Sequence, residues 1–356
     1  MAKKIIEPKY GFPLFTKDFS TDYIIKNKRT RVSDVWSFWN YSIRMYHKKK
    51  TGVNKTFLLS LLEQSQYFYQ AAEHAPIFSQ PLLYYYSFLN LAKIIINMHQ
   101  YLGEQVEYYH GIETKVTHTT TLETARQSIL EYDPANSKYS VGYEFMKIMG
   151  DVFQPPRPHP LNINNALKAC IGIHRTYCEI TSQDEIFHRL LNPTLYRDGQ
   201  NLIFEGEIKD CNLNLYNSLR NIYNIRTEIT ERHTKYILTE TFNMNHYTPN
   251  RNDFWGLSDK LIKRGLWSYT DGDEYRIYIS GYSLRYSSAS IIYNIMFYLG
   301  SISRYHPYFF RSLLSEKNQW LISEFLKTQP MQFLHLVTSR TMGATILKSR
   351  TSNILI

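Results

Sequence analysis

The longest helix-compatible apolar stretch of the chain runs from Ser79 to Met98, where Leu82, Leu83, Tyr86, Leu89, Ile94 and Ile96 recur with little polar relief. A helix of that pattern is covered on most of its sides and belongs at the centre of a fold. Ser79 can cap its first turn, and Pro81 stands where a missing backbone donor does no harm. Asn90, Lys93 and Asn97 fall three and four residues apart, so they share one stripe of the cylinder. That stripe faces either solvent or a site.

Helical periodicity recurs on both sides. Val32 to Tyr46 carries Trp36, Trp39, Ile43 and Tyr46, with Ser33 and Asp34 as caps, and stops at Lys48-Lys49-Lys50-Thr51-Gly52, where cations and a glycine suit a helix end. Phe57 to Glu73 follows and ends before Pro76; a link that short makes it the antiparallel neighbour of the central helix. Leu122 to Leu130 and Asn162 to Thr181 read as shorter helices. The proline-rich residues between them, from 132 to 165, read as a surface crossing.

Past Asn201 the texture changes. Leu202 to Ile208 and Glu274 to Ile279 have strand character, with a turn at Asp271-Gly272-Asp273 between the second strand and what precedes it, while Leu215 to Tyr236 reads as helical. Ser287 to Tyr305 is a strong helix ending at Pro307, and Leu313 to Phe325 is the last one. The expected fold class is therefore mainly α, a helical bundle with a small inserted β element. Its expected divisions are a basic irregular arm (1–31) with a short strand at Tyr23–Ile25, a helical core (32–200), a mixed insertion (201–285), helices returning to the core (286–338) and a basic, mobile tail (339–356).

Composition adds constraints. The chain has 356 residues, 43% hydrophobic and 15% aromatic with 30 tyrosines, which is the content of an ordered globular protein. No leader pattern is evident, and Asn90, Lys93 and Asn97 interrupt the one long apolar run, so a cytoplasmic protein without a membrane span is expected. Cys170, Cys178 and Cys211 are odd in number and lack CxxC spacing, which argues for buried thiols rather than disulfides or zinc. The net charge of +10 is concentrated at the start: residues 1–55 hold 13 Lys and Arg against 4 Asp and Glu. Lys48, Lys49 and Lys50 are the candidate nucleic-acid contact there, and a solvated basic edge is the plainer alternative.

Three motifs carry a family resemblance: Pro81-Leu-Leu-Tyr-Tyr-Tyr-Ser-Phe-Leu-Asn-Leu-Ala-Lys93, His110-Gly111-Ile112, and Gly300-Ser-Ile-Ser-Arg-Tyr-His-Pro307. In that order they resemble the YaaC-like family of bacterial proteins, over roughly residues 30 to 330. The helix pair at 57 to 100 followed by His-Gly also resembles the core of HEPN domains, a group that includes metal-independent ribonucleases of toxin and antiviral systems. That second resemblance implies RNA as a partner, a role in antiviral defence, and no metal or other cofactor.

HEPN-type ribonucleases pair an arginine, which holds the scissile phosphate, with a histidine four to six residues on, which moves protons. Arg226 and His233 have the longest permitted spacing, and on a motif this short an exposed charged helix face is the plainer explanation. Arg304 and His306 belong to the third family motif at the end of a long helix, where they act either as a site or as a cap of the last carbonyls. His110 lies on a turn that Gly111 lets bend sharply. Asn90 and Lys93 are candidates for the same hollow, or else a buried hydrogen-bonding group and an outward-reaching lysine. Neither HExxH nor HxxxH is present, and neither GxxxxGK[ST], GxGxxG nor GxSxG is found, so no metal or nucleotide signature is evident.

These residues support two readings. In the first the protein binds RNA or another phosphate-bearing ligand, and if it cuts RNA, Arg304 holds phosphate while His306 or His110 serves as acid or base. In the second it is a non-catalytic subunit or adaptor, or a homo-oligomer, docking through tyrosine-rich surface. The first requires His110 and the Arg304-Tyr305-His306 segment to meet around one hollow.

Overall fold

The computed structural model describes residues 4–5, 29–49, 54–100, 106–117, 119–131, 138–151, 153, 157–230, 233–244, 251–271, 274–280, 286–314, 316–342 and 345–348. It divides into two compact units: Asp34–Asp184 with Tyr286–Leu334, and Met1–Ser33 with Glu185–Arg285 and His335–Ile356.

The first unit is mostly helical. Helices Val35–Lys49, Lys55–His74 and Gln80–Gln100 follow one another, and the third buries residues around its whole circumference, from Pro81 and Tyr84 to Asn97 and Met98. Asn54 caps the second, its side chain accepting from the Phe57 N–H at 3.1 Å. Ser79 meets the central helix through its carbonyl, which accepts from the Leu83 N–H at 3.3 Å. Helix Ser288–Tyr305 is equally buried and packs along the central helix. Its cap is Ser287, whose side chain accepts from the Ser290 N–H at 3.2 Å and whose own N–H donates to the buried Asp151 carboxylate at 2.7 Å.

Aromatic rings tie these helices together. Trp36 meets Tyr69 edge-on at 5.5 Å, Tyr85 meets Phe297 at 5.0 Å, and Phe88 stacks on Phe333 at 3.9 Å. Each such buried ring contributes about 1.5–3 kcal/mol of transfer free energy. The two long helices also come very close at Gly300. A Cβ there would stand 3.2 Å from the Pro81 carbonyl, 3.2 Å from Tyr85 Cβ and 3.3 Å from Leu82 Cα, so the contact is backbone against backbone.

A three-stranded antiparallel sheet adjoins the helices in the order Ile112–Thr114, Arg126–Ile129, His159–Asn162. The segment expected as a helix at Leu122 to Leu130 is a strand, because Gln127 and Ile129 are buried while Arg126 is exposed, a two-residue alternation. The supposed crossing at 132–165 holds helix Val141–Ile148, capped by Ser140, and strand His159–Asn162; Pro160 points to the exposed face of that strand.

The second unit is built on a seven-stranded antiparallel sheet. Six strands run Asn224–Ile229, Thr234–Asn243, Asn201–Ile208, Phe187–Asp198, Glu274–Ser280, Leu266–Asp271, and Lys4–Ile5 pairs with the far half of Phe187–Asp198. This overturns the expected fold class: the protein is mixed α/β, not a mainly α bundle with a small β insert. The segment read as a helix from Leu215 to Tyr236 is a seven-residue helix, Leu213–Leu219, followed by a hairpin. The strand Phe187–Asp198 went unread because Pro193 interrupts it. The ladder accommodates the proline at an irregularity between Leu191 and Thr194, where Asn192 has φ +47°.

Helix Arg251–Lys263 covers the sheet, and Leu195, Leu202, Phe204, Leu238, Leu257, Leu261 and Ile279 form the core between them. Beyond Thr338 the chain continues in helix Glu316–Met342 and then in strand Thr345–Lys348, which pairs in parallel with Arg29–Val32. The strand expected at Tyr23–Ile25, the glycine of the Asp271-Gly272-Asp273 turn, and residues 349–356 lie outside the described residues.

The Gly300 contact is directly testable. Gly300→Val is expected to lower unfolding free energy by about 1–3 kcal/mol through overpacking, read as a fall in the urea midpoint. An unchanged midpoint would show that the two helices have room to separate.

Candidate functional site

His110 sits between strand Tyr108–Tyr109 and strand Ile112–Thr114. The turn is held on both sides: the His110 carbonyl accepts from the Gly142 N–H at 3.0 Å, and the Gly111 carbonyl from the Leu130 N–H at 2.9 Å. Gly111 has φ +71°, and a Cβ there would fall 1.8 Å from Ser140 Oγ, so only glycine fits. The turn therefore presents the histidine in one fixed place.

The imidazole is bonded to the central helix. Nδ1 of His110 and the Tyr85 hydroxyl are hydrogen-bonded, and the two rings lie 5.5 Å apart. Tyr85 is 4% exposed, and burial, then the neighbouring Tyr293, raises its hydroxyl pKa well above the ordinary value. The hydroxyl therefore stays protonated. In one imidazole tautomer it donates to Nδ1; in the other Nδ1–H donates to the tyrosine oxygen. His110 itself has a lowered pKa, chiefly from partial burial and then from the charges of Lys93 and Arg304.

Arg304 and His306 share one cleft with this histidine, of about 470 Å³. Tyr85 and Tyr86 line it from the central helix, Phe297, Gly300, Arg304 and Tyr305 from helix Ser288–Tyr305, Glu113 from the strand beyond His110 and Lys115 from just after that strand. Among the described residues the Arg304 side chain makes no hydrogen bond to its own helix carbonyls. Its guanidinium donates to the Tyr86 hydroxyl at 2.6 Å and stacks 4.9 Å from the Tyr305 ring. Among the described residues no carboxylate pairs with it. His306 occupies the junction of two helices: its N–H donates to the Ile302 carbonyl at 2.9 Å, and Pro307 begins helix Pro307–Leu313.

The other candidates fall elsewhere. Lys93 is not in the cleft lining but acts on His110 electrostatically; its amine lies 5.7 Å from the Tyr108 ring, and burial lowers its pKa. No carboxylate pairs with it among the described residues. Asn97 donates to the Lys93 carbonyl at 2.8 Å and the Tyr108 hydroxyl at 2.6 Å. Asn90 is buried and reaches Gln64 across the helix pair at 3.4 Å, away from the cleft.

Arg226 and His233 lie in the sheet unit on a hairpin rather than a helix end. Arg226 is ion-paired with Glu205 at 3.2 Å and with Glu228, and the His233 N–H donates to Thr230 Oγ1 at 3.2 Å. Lys48 and Lys49 end helix Val35–Lys49, and Lys50 lies outside the described residues. Among the described residues no group of three His, Cys, Asp or Glu is placed to hold a metal, and no helix is long and apolar enough to cross a membrane.

Sequence reasoning missed Tyr85, Tyr86, Gly300, Glu113 and Lys115. Tyr85, Tyr86 and Gly300 stand inside the motifs quoted for the family, which was the available signal. Nothing in the sequence marks Glu113 or Lys115.

The molecule is thus a two-unit mixed α/β protein whose helical unit carries a cation-lined cleft beside a tyrosine-bound histidine. The family model described as YaaC-like Protein matches residues 19–341, and the chain belongs to that family. No curated protein and no solved structure matches it, and no comparison supports the likeness to HEPN domains.

The lowered pKa of His110 has a consequence for stability. The unfolded histidine, near 6.5, takes up a proton before the folded one does, so the stabilising contribution is complete above 6.5 and is lost as pH falls through the folded value. The melting temperature of the wild type should fall below pH 6.5 more steeply than that of His110→Gln, which keeps a partner for Tyr85 without titrating. Parallel curves would remove the inference.

Proposed function

We propose that the cleft binds a phosphate-bearing ligand, with Arg304 as its anchor and His110 and His306 beside it. One observation carries this reading. Lys93 and Arg304 both disfavour protonation of His110, yet no carboxylate among the described residues pairs with either cation. A cation without an ion-pair partner beside a cavity attracts an anion, and a guanidinium fork matches phosphate oxygens in pairs. The Tyr86 hydroxyl holds that fork in position at 2.6 Å.

The same residues favour a narrower reading, metal-independent cleavage of RNA. A neutral histidine whose Nδ1 partner can either donate or accept is able to take a proton at one step and return it at another. With His306 in the same cleft, two imidazoles and one guanidinium supply an acid, a base and a phosphate anchor. If the protein binds without cutting, the cleft serves an adaptor or sensor role.

Fluorescence anisotropy with a labelled short single-stranded RNA, in the presence of a chelator, tests both. Arg304→Ala is expected to weaken binding about tenfold or more, the loss of one charge-assisted contact. Equal affinity of wild type and variant would refute the anchor. Gel analysis of the same mixtures reads cleavage: products from the wild type that vanish in Arg304→Ala/His306→Ala support the nuclease, and intact RNA in all lanes restricts the cleft to binding.

A further inference from the structure

A second cavity, of about 400 Å³, borders the first and shares Glu113 and Lys115 with it. Its floor is the exposed face of the three-stranded sheet. Glu113 pairs across with Ser128, and Ser128 with Pro160, so the three point the same way, while Ile112, Gln127, Ile129 and Leu161 point into the core. Arg126 stands on that face at the start of its strand. Thr117, Thr119, Thr120 and Thr124 form its wall. They are braced by the Thr117 N–H donating to Thr120 Oγ1 at 2.8 Å and the Thr121 N–H donating to Thr124 Oγ1 at 2.9 Å.

The order of charges along the two cavities is informative. Arg304 lies in the first, Glu113 and Lys115 at the junction, and Arg126 in the second. None of these four forms an ion pair among the described residues. A ligand with contiguous negative charge would meet the Glu113 carboxylate unfavourably. A chain in which phosphates alternate with neutral hydrogen-bond donors fits better, because a sugar hydroxyl or base amino group over Glu113 can donate to it while phosphates lie toward the flanking cations. The first cavity adds Tyr86, Phe297 and Tyr305, aromatic surface of the kind on which bases stack. The second adds threonine and serine hydroxyls.

We infer that the two cavities form one groove for a linear phosphodiester of two or more nucleotides, laid across strand Ile112–Thr114 with its second phosphate near Arg126. This rests on the phosphate-binding reading of the first cavity and extends it from a single phosphate to an oligonucleotide. Arg126 is exposed and takes no part in the core, so its replacement leaves the fold intact.

The experiment compares uridine 5′-monophosphate with a uridine tetranucleotide by calorimetric titration at one salt concentration. For the wild type the tetranucleotide should bind at least about tenfold tighter, the value of one further charge-assisted contact. Arg126→Ala should erase most of that gain while leaving mononucleotide affinity unchanged, and Arg126→Lys should restore part of it. Arg304→Ala should weaken both ligands. A tetranucleotide no tighter than the mononucleotide, or an Arg126→Ala variant that leaves the gain intact or weakens both ligands equally, overturns the groove while the first cavity stands. If Arg304→Ala changes neither ligand, the reading of the first cavity fails instead.

Discussion

Residue 300 has no side chain, and the helical unit depends on that. Helices Gln80–Gln100 and Ser288–Tyr305 are both apolar around nearly their whole circumference, so neither can stand in water. At Gly300 a Cβ would stand 3.2 Å from the Pro81 carbonyl and 3.3 Å from Leu82 Cα, so the two backbones meet there. From that contact the next helical turns follow: Tyr85 and Tyr86 lie opposite Phe297 and Arg304, and Tyr86 is close enough to hold the guanidinium. The cleft is therefore a product of helix packing, and a wedge at Gly300 would move its two walls together with its charges.

Ion pairs occur in both units, with Lys138 on Glu107 at 3.1 Å and Lys147 on Glu144 at 3.5 Å in the helical one. In the sheet unit the basic side chains near the core have partners: Arg226 with Glu205 and Glu228, Lys235 with Glu207 at 3.0 Å, Lys260 with Glu240 at 3.4 Å, Arg340 with Asp259 at 2.9 Å. The carboxylates of these pairs are largely buried, so each pair sets its Coulomb attraction against the cost of desolvation. In the helical unit Arg304, Lys93, Lys115 and Arg126 have no such partner among the described residues. The Glu131 carboxylate is taken by Arg157 at 2.9 Å and His159 at 2.9 Å, away from the cleft.

The histidine turn shows how a neutral group is kept among cations. Tyr85 and His110 share a hydrogen bond that requires no charge on either, and the low polarity created by Phe297 and Tyr293 favours that neutral pair. A carboxylate in place of Tyr85 would favour the charged imidazole instead.

What the sequence determined by itself is the set of strongly periodic elements. The central helix, its antiparallel neighbour, the late helix ending at Pro307, and strands Asn201–Ile208 and Glu274–Ser280 follow from apolar spacing and local stop signals, which act within a few residues. The motifs at His110 and Arg304 were legible as candidates for the same reason: a glycine turn and a helix end are local features. The tertiary structure decided the rest. Only pairing across the sheet makes strands of Arg126–Ile129, Asn224–Ile229 and the proline-bearing Phe187–Asp198, because a strand's hydrogen bonds go to residues distant in the chain. Only packing brings Arg304 to Tyr86, 218 positions away, and only it separates Arg226, which Glu205 and Glu228 neutralise, from Arg304, which has no carboxylate partner among the described residues. Local spacing sets what an element is; whether its charges are satisfied depends on which distant side chains fold against it.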